Sequence, residues 1–289
     1  MHSLIGGVAA ALGLVLGGVA ASAQAATLYF SAIPDDDETR LLERFGKVAD
    51  YLSDELGVDV QYVPVKSYAA SVTAFRNDQI QLAWFGGLSG VQARLAVPGS
   101  QALAQGVEDG TFVSYFIAHE STGLQPSDDF PLAAEGMSFT FGAQTSTSGR
   151  LMPEFHVREE TGKAPEEFFS QVGFSGDHGQ TLRLVSTGAY QLGALNYTVY
   201  DTAVAEGAPE VATTRVIWKT PPYPDYNWTI RGDVDARFGD GFTERVRQAL
   251  IGMDDPDLLA SFPRKGFVEA TNDDYAPIEE TARAIDILD

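Results

Sequence analysis

The amino-acid sequence predicts an α/β fold in two lobes, each a mixed, mostly parallel sheet flanked by helices, with a ligand cleft between them. Three observations carry this. Strand-like and helix-like segments alternate, which favours parallel sheets covered by crossover helices. The alternation breaks off and starts again beyond residue 111, as a second sheet would require. A length of 289 residues accommodates two modest domains of roughly 100–200 residues each.

The first 26 residues contain no Asp, Glu, Lys or Arg and end in two A-x-A matches, Ala21-Ser22-Ala23 and Ala23-Gln24-Ala25. This reads as a secretory signal peptide over residues 1–25, too diluted by glycine for a membrane span. Next, TLYFSAI at 27–33 alternates as a strand. The following helix places Leu41, Leu42, Phe45, Val48 and Leu52 on one face and stops at Gly57. VDVQYVPV is then a strand, YAASVTAFRND a helix, IQLAWFG a strand and LSGVQARLAV a helix. In the restarted pattern, TFVSYFIAHE and SFTFGAQ are strands, RLMPEFHVREETG a helix, QVGF a strand, TLRLVSTG a helix and YQLGALN a strand. TTRVIWKTPPYPDYNWTIRGD reads as one strand broken by three prolines. Two terminal helices open at Asp255-Pro256 and Pro277, where proline suits a first turn. The lobes are expected over 26–115 plus 223–289 and over 116–222, joined by crossings near 111–122 and 216–229.

Nineteen Lys and Arg against 40 Asp and Glu give a formal charge of −21. Such a chain is repelled by nucleic acid and by anionic lipid. Cysteine is absent, which excludes disulfides, thiol chemistry and a cysteine-linked lipid anchor. The four histidines, His2, His119, His156 and His178, are scattered, so neither a metal nor another cofactor is expected. A freely diffusing periplasmic monomer is the expected state.

In open α/β sheets, ligands sit where strand ends lead into helix N-termini, which offer unpaired N–H groups and a partial positive charge. Four such junctions stand out. Thr145-Ser146-Thr147-Ser148-Gly149 supplies four hydroxyls where one cap needs one; a plain Ser/Thr cap is the alternative. VKSYAAS places Tyr68 and Ser71 at a helix start, and AWFGGLSG does so for Phe85, Gly86 and Gly87. Both aromatics could equally be core. FSGDHGQT places His178 before a helix, between glycines that suggest an exposed loop.

With these residues in view, the chain resembles the periplasmic binding proteins of phosphate, phosphite and phosphonate ABC transporters. The resemblance rests on YAASVTAFRNDQIQLAWFGGLSG, STSGRLMP, the histidine loop and VIWKTPPYP, in this order over nearly the whole mature chain. IPDDDE, SVTAFRNDQIQLAWFGGLSGVQARLAVPG and TFGAQTSTSGRLMPEF are closest to the subset described as selenate-binding. The resemblance implies a type II periplasmic binding protein that closes by a hinge on a small tetrahedral oxyanion and delivers it to an inner-membrane permease. It further implies that Tyr68 contacts ligand oxygens, that Ser146, Thr147 and Ser148 hold the oxyanion and that His178 donates to it. Asn196 is a looser match among polar strand-end residues. Phe85 stands where relatives often carry tyrosine, and His178 is followed by Gly179 and Gln180 rather than by an acid.

Arg150 is unusual, because a cation in a first helical turn opposes the macrodipole by roughly 0.3–1 kcal/mol. Either a bound oxyanion or a nearby acid would offset that, and it is counted among the candidate ligand-binding residues. Three other readings stand beside the oxyanion binder. Tyr68, Trp84, Phe85, Tyr223, Tyr226 and Trp228 could cage a quaternary ammonium, or a zwitterion whose amine lies near Asp35. The protein could present its ligand to a membrane kinase. A hydrolase would need Ser146 or Ser148 with His178 and Asp201, without the G-x-S-x-G spacing.

Overall fold

A computed structural model describes residues 26–35, 37–260, 262 and 264–288; the segment read as a signal peptide lies outside the described residues. The first lobe opens with β1 (Leu28–Ala32), α1 (Glu38–Leu56), β2 (Val60–Tyr62), α2 (Tyr68–Arg76), β3 (Leu82–Phe85), α3 (Gly87–Ala96) and β4 (Gln101–Gly106). The second holds β5 (Ser114–His119), β6 (Ser138–Phe141), α4 (Met152–Thr161), α5 (Pro165–Phe168), β7 (Gln171–Phe174), α6 (His178–Ser186), β8 (Leu192–Asn196), α7 (Tyr197–Glu206) and β9 (Thr214–Lys219). The chain returns to the first lobe with β10 (Asn227–Ile230), α8 (Asp235–Phe238), α9 (Phe242–Ile251), α10 (Pro256–Ala260), β11 (Phe267–Glu269) and α11 (Ala276–Ala284).

The sheets have the orders β11-β4-β10-β3-β1-β2 and β7-β6-β8-β5-β9. In each, the strand that follows a crossing is inserted antiparallel to its neighbours: β10 between β3 and β4, and β5 between β8 and β9. Of the remaining pairs, β1·β2, β1·β3, β6·β7 and β6·β8 are parallel and β4·β11 is antiparallel, so both sheets are mixed. Each crossing therefore feeds a central strand of the sheet it enters. The two crossings are tied together where Phe112 and Tyr223 exchange backbone hydrogen bonds at 2.9 Å.

Local signals account for most elements. Asp37 caps α1 by accepting from Thr39 N–H, and Gly57 ends it in the left-handed region at φ 67°. Leu41, Phe45, Val48 and Leu52 are buried, but Leu42 is 47 % exposed because it falls to one side of that stripe. The first lobe's core centres on Trp84 and Trp228, with ring centroids 5.4 Å apart, and on Phe30, Phe45 and Phe262. The second lobe's core is built on Phe116, Phe139 and Trp218.

The structure departs from the sequence reading in several places. TTRVIWK and NWTI are separate strands in different sheets, and Pro221, Pro222 and Pro224 occupy the crossing between them. QALAQG, whose Ala, Gln and Gly carry weak strand preference, is the buried β4. YTVYDTAVAE is helical despite its β-branched and aromatic start, because Asn196 caps it and Gly207 stops it. The helix α9 and the short edge strand β11 were likewise outside that reading.

Candidate functional site

The second lobe contributes an unusual helix start. Residues Thr147–Leu151 form a π-turn leading into α4, capped by the Ser146 hydroxyl accepting from Gly149 N–H at 2.9 Å. A π-turn widens the first turn and is frequent at functional sites. It leaves Thr147 and Ser148 to face the first lobe. Thr147 Oγ1 accepts from Leu88 N–H of α3 at 3.0 Å, across the lobes. Gly149 leaves little room for a side chain: a Cβ there would lie 3.0 Å from Ser146 Oγ, 3.1 Å from Gly142 Cα and 3.2 Å from His178 Cε1, so these neighbours would have to give by a few tenths of an ångström.

Five helix starts meet at this point. Tyr68 begins α2, Gly87 and Leu88 begin α3, Ser146 to Ser148 precede α4, His178 begins α6 and Asn196 caps α7. Tyr68 Oη lies 3.4 Å from His178 Nε2, and the Ser146 hydroxyl stands beside the same phenol. Asn196 N–H donates to His178 Nδ1 at 3.2 Å, and its Nδ2 donates to Tyr226 Oη of the first lobe at 3.0 Å. His178 is wholly buried rather than in an exposed loop, because it opens α6 under β8. Burial pulls it down to about 3, so the ring is neutral. With Nδ1 accepting, its proton sits on Nε2 and points at the Tyr68 oxygen.

Asp225, which the sequence reading passed over as part of a stiff proline-rich crossing, closes the cluster. Its Oδ1 accepts from Gly87 N–H at 2.8 Å, while among the described residues no group reaches its buried Oδ2 in hydrogen-bond geometry. Burial lifts it from an ordinary 3.8 to about 7, against the pull of Gly87 N–H and of the neighbouring Thr147 and Ser148 hydroxyls. Those hydroxyls are close enough to act on the carboxyl without reaching hydrogen-bond geometry at Oδ2. Ser114 Oγ sits 2.6 Å from Tyr223 Oη and donates to Ser148 O at 2.8 Å. Tyr68, Tyr223 and Tyr226 are all pushed well above 10, burial first, and stay protonated. The cluster thus offers phenol, hydroxyl and imidazole donors around one carboxyl held near neutrality.

Two candidates lie elsewhere. Arg150 is directed at Glu154 and a backbone carbonyl, not at the cluster: Nε donates to Glu154 Oε2 at 3.2 Å, Nη1 to Gln144 O at 3.0 Å, and the guanidinium covers Phe174 at 5.3 Å. Its cost in the first turn is offset by that i,i+4 pair, one half of which is buried. The Phe85 side chain packs edge-on against Phe75 in the core, and only the following N–H groups reach the cluster.

The alternative constellations do not form. Trp84 and Trp228 are packed into the core, and the Tyr223 and Tyr226 hydroxyls are engaged by Ser114 and Asn196. Asp201 accepts from Tyr115 Oη at 3.3 Å, while His178 Nδ1 is taken by the Asn196 backbone N–H, so Ser146 or Ser148, His178 and Asp201 do not line up as a relay. Among the described residues no group of three or more His, Cys, Asp or Glu could hold a metal, and no helix is long and apolar enough to cross a membrane. Beside the cluster, beyond the Asn196–Tyr226 contact, a groove of about 540 Å³ runs between the lobes past Asp35, Arg44 and Trp84 on one wall and Leu182 and Thr198 on the other. The exposed pair Arg40–Glu206, at 3.1 Å, bridges α1 and α7.

Two mixed α/β lobes, joined by paired crossings and presenting helix starts from both sides to one buried polar cluster, define a type II periplasmic substrate-binding protein. A family model described as "ABC transporter, phosphonate, periplasmic substrate-binding protein" matches residues 30–275. The chain is 37 % identical over 265 residues to the probable ABC transporter phosphite binding protein PhnD1 of Prochlorococcus marinus (strain MIT 9301), covering 89 % of each. The structure of that PhnD1 in complex with methylphosphonate superposes with a TM-score of 0.87, covering 91 % of this chain and 99 % of the other. The phosphonates-binding periplasmic protein of Escherichia coli (strain K12) is 24 % identical over 207 residues, 71 % of this chain and 60 % of the relative. A binding protein component of an ABC phosphonate transporter from Pseudomonas aeruginosa shares the fold, at 19 % identity and a TM-score of 0.78 over 89 % of this chain and 86 % of that one. The chain belongs to the family of periplasmic phosphonate substrate-binding proteins of ABC transporters. The narrower likeness to a selenate-binding subset gains no support from these matches.

Proposed function

We propose that the protein binds a compact tetrahedral oxyanion that still carries one proton, phosphite or a small phosphonate such as methylphosphonate, and hands it to an ABC permease in the inner membrane. Asp225 carries this reading. A buried carboxyl with a free Oδ2 repels a fully deprotonated oxyanion but shares a proton with a P–OH group, or donates its own. Phosphonates and phosphite retain such a proton near neutrality, whereas selenate and sulfate do not. Tyr68, Ser146, Thr147, Ser148 and His178 Nε2–H would surround the remaining oxygens as donors, with Asn196 fixing the histidine tautomer. The similar PhnD1, described as a probable phosphite binding protein and solved in complex with methylphosphonate, points the same way.

The chain is exported by cleavage near Ala25, works as a monomer and does not turn its ligand over. Its lobes, 26–115 with 223–289 and 116–222, close about the paired crossings, and ligand favours the closed form to the extent that it binds that form better. Calorimetry on the chain without residues 1–25 tests this with phosphite, methylphosphonate, phosphate, selenate and sulfate. Phosphite or methylphosphonate should bind at least about 100-fold tighter than selenate, roughly 2.7 kcal/mol. Equal or tighter selenate binding, or no binding at all, refutes it. Solution scattering should show compaction on saturation.

A further inference from the structure

Next to the cluster, at the edge of the interlobe groove, lies a buried ion pair. Arg264 Nε donates to Asp109 Oδ2 at 2.8 Å and Nη2 to Oδ1 at 2.7 Å, and the two side chains are 3 % and 0 % exposed. A buried pair of this kind seldom adds stability over apolar packing, but its two-pronged geometry imposes one arrangement on whatever it joins. Here it joins the C-terminal segment ahead of β11 to the first crossing, between β4 and β5. Asp109 also accepts from Gly106 N–H at 3.0 Å, where a Cβ would lie 2.4 Å from Oδ2 and 2.7 Å from Arg264 Cδ. A side chain at position 106 would therefore displace the pair.

From this pair two contacts run to the site. Asp225 N–H donates to Asp109 O at 2.9 Å, so the main chain of Asp109 sets the height of the Asp225 backbone. The Arg264 guanidinium covers the Tyr226 ring at 5.2 Å and the Phe112 ring at 5.7 Å, and Tyr226 in turn receives Asn196 Nδ2–H from the other lobe. We infer that Asp109 and Arg264 are positioning residues that hold Asp225 and Tyr226 in register with the second lobe, and so set oxyanion affinity and selectivity without contacting the ligand. The inference rests on the reading that Asp225 faces the bound oxyanion.

The test measures methylphosphonate, phosphite and sulfate binding by calorimetry to wild type, to the double variant D109N/R264Q and to R264K, with thermal melting of each. D109N/R264Q removes both charges and keeps hydrogen-bonding groups; R264K keeps the charge but loses the fork. The expected result is a folded double variant that binds methylphosphonate at least tenfold more weakly and discriminates less against sulfate. R264K should lie between it and wild type. Loss of folding stability alone would leave the ratio of methylphosphonate to sulfate affinity unchanged, so selectivity separates positioning from bulk destabilisation. If D109N/R264Q does not fold, R264K carries the test. A folded variant that matches wild type in affinity and in selectivity overturns the inference. Wild type binding neither methylphosphonate nor phosphite overturns the functional reading instead.

Discussion

Asp225→Asn separates the cost of the site from its use. Burial holds the folded carboxyl at about 7, against 3.8 for an ordinary aspartate. A difference of about three units corresponds to roughly 4 kcal/mol at 1.36 kcal/mol per unit. The sign follows from proton counting. Below about pH 4 both states are protonated and the term is fully favourable; between about pH 4 and pH 7 the unfolded chain ionises while the folded one does not, so stability falls as pH rises. Asparagine is neutral throughout and can keep its oxygen on Gly87 N–H. Urea unfolding of the ligand-free proteins should therefore show the variant gaining on wild type from near zero at about pH 4 to as much as roughly 4 kcal/mol at about pH 8. The same variant should lose methylphosphonate affinity, since it cannot accept the ligand's proton. Parallel stability curves for the two proteins across this range would refute the assignment of a buried, proton-carrying Asp225.

Three further predictions are independent of it. The His178 ring, followed by NMR, should stay neutral with its proton on Nε2 from about pH 8 to about pH 4; a midpoint near the usual value of about 6.5 would contradict its burial. Gly149→Ala should weaken methylphosphonate binding tenfold or more, because the added methyl meets the Gly142 backbone and the His178 ring; binding within twofold of wild type would show that the π-turn can shift. Arg150→Ala should change oxyanion affinity by less than about threefold and cost about 1 kcal/mol of stability by chemical denaturation, Arg158 remaining on Glu154. A tenfold loss of affinity would return Arg150 to the site.

Much of this protein is local enough to be read from residues in order. Helix starts are set by caps and N–H groups within a few positions, so Tyr68, Ser146 to Ser148 and His178 are visible as junction residues before any folding, whereas Asn196 is placed only at a strand end and through the resemblance. Even Arg150 was legible in this sense: Arg150, Glu154 and Arg158 stand at i, i+4 and i+8, the spacing of a charge ladder along one helix face. The strands missed, β4 and β11, are short or poor in β-formers, and the helix α7 opens on residues that favour strands. Their state is decided by neighbours distant in the chain.

Sequence alone determined the two-lobed α/β architecture and which helix starts carry polar side chains, because periodicity and capping act over a turn or two. Only the tertiary structure decided that those starts, together with the unread start of α7 at Asn196, face one another across the lobes, that Phe85 is core, and that His178 is neutral. It also placed Asp225 opposite the hydroxyls of a π-turn more than 70 residues earlier and buried it there. An ionisable group's charge state depends on how much water the rest of the fold removes from it and on which dipoles replace that water. Neither quantity is written in its neighbours along the chain.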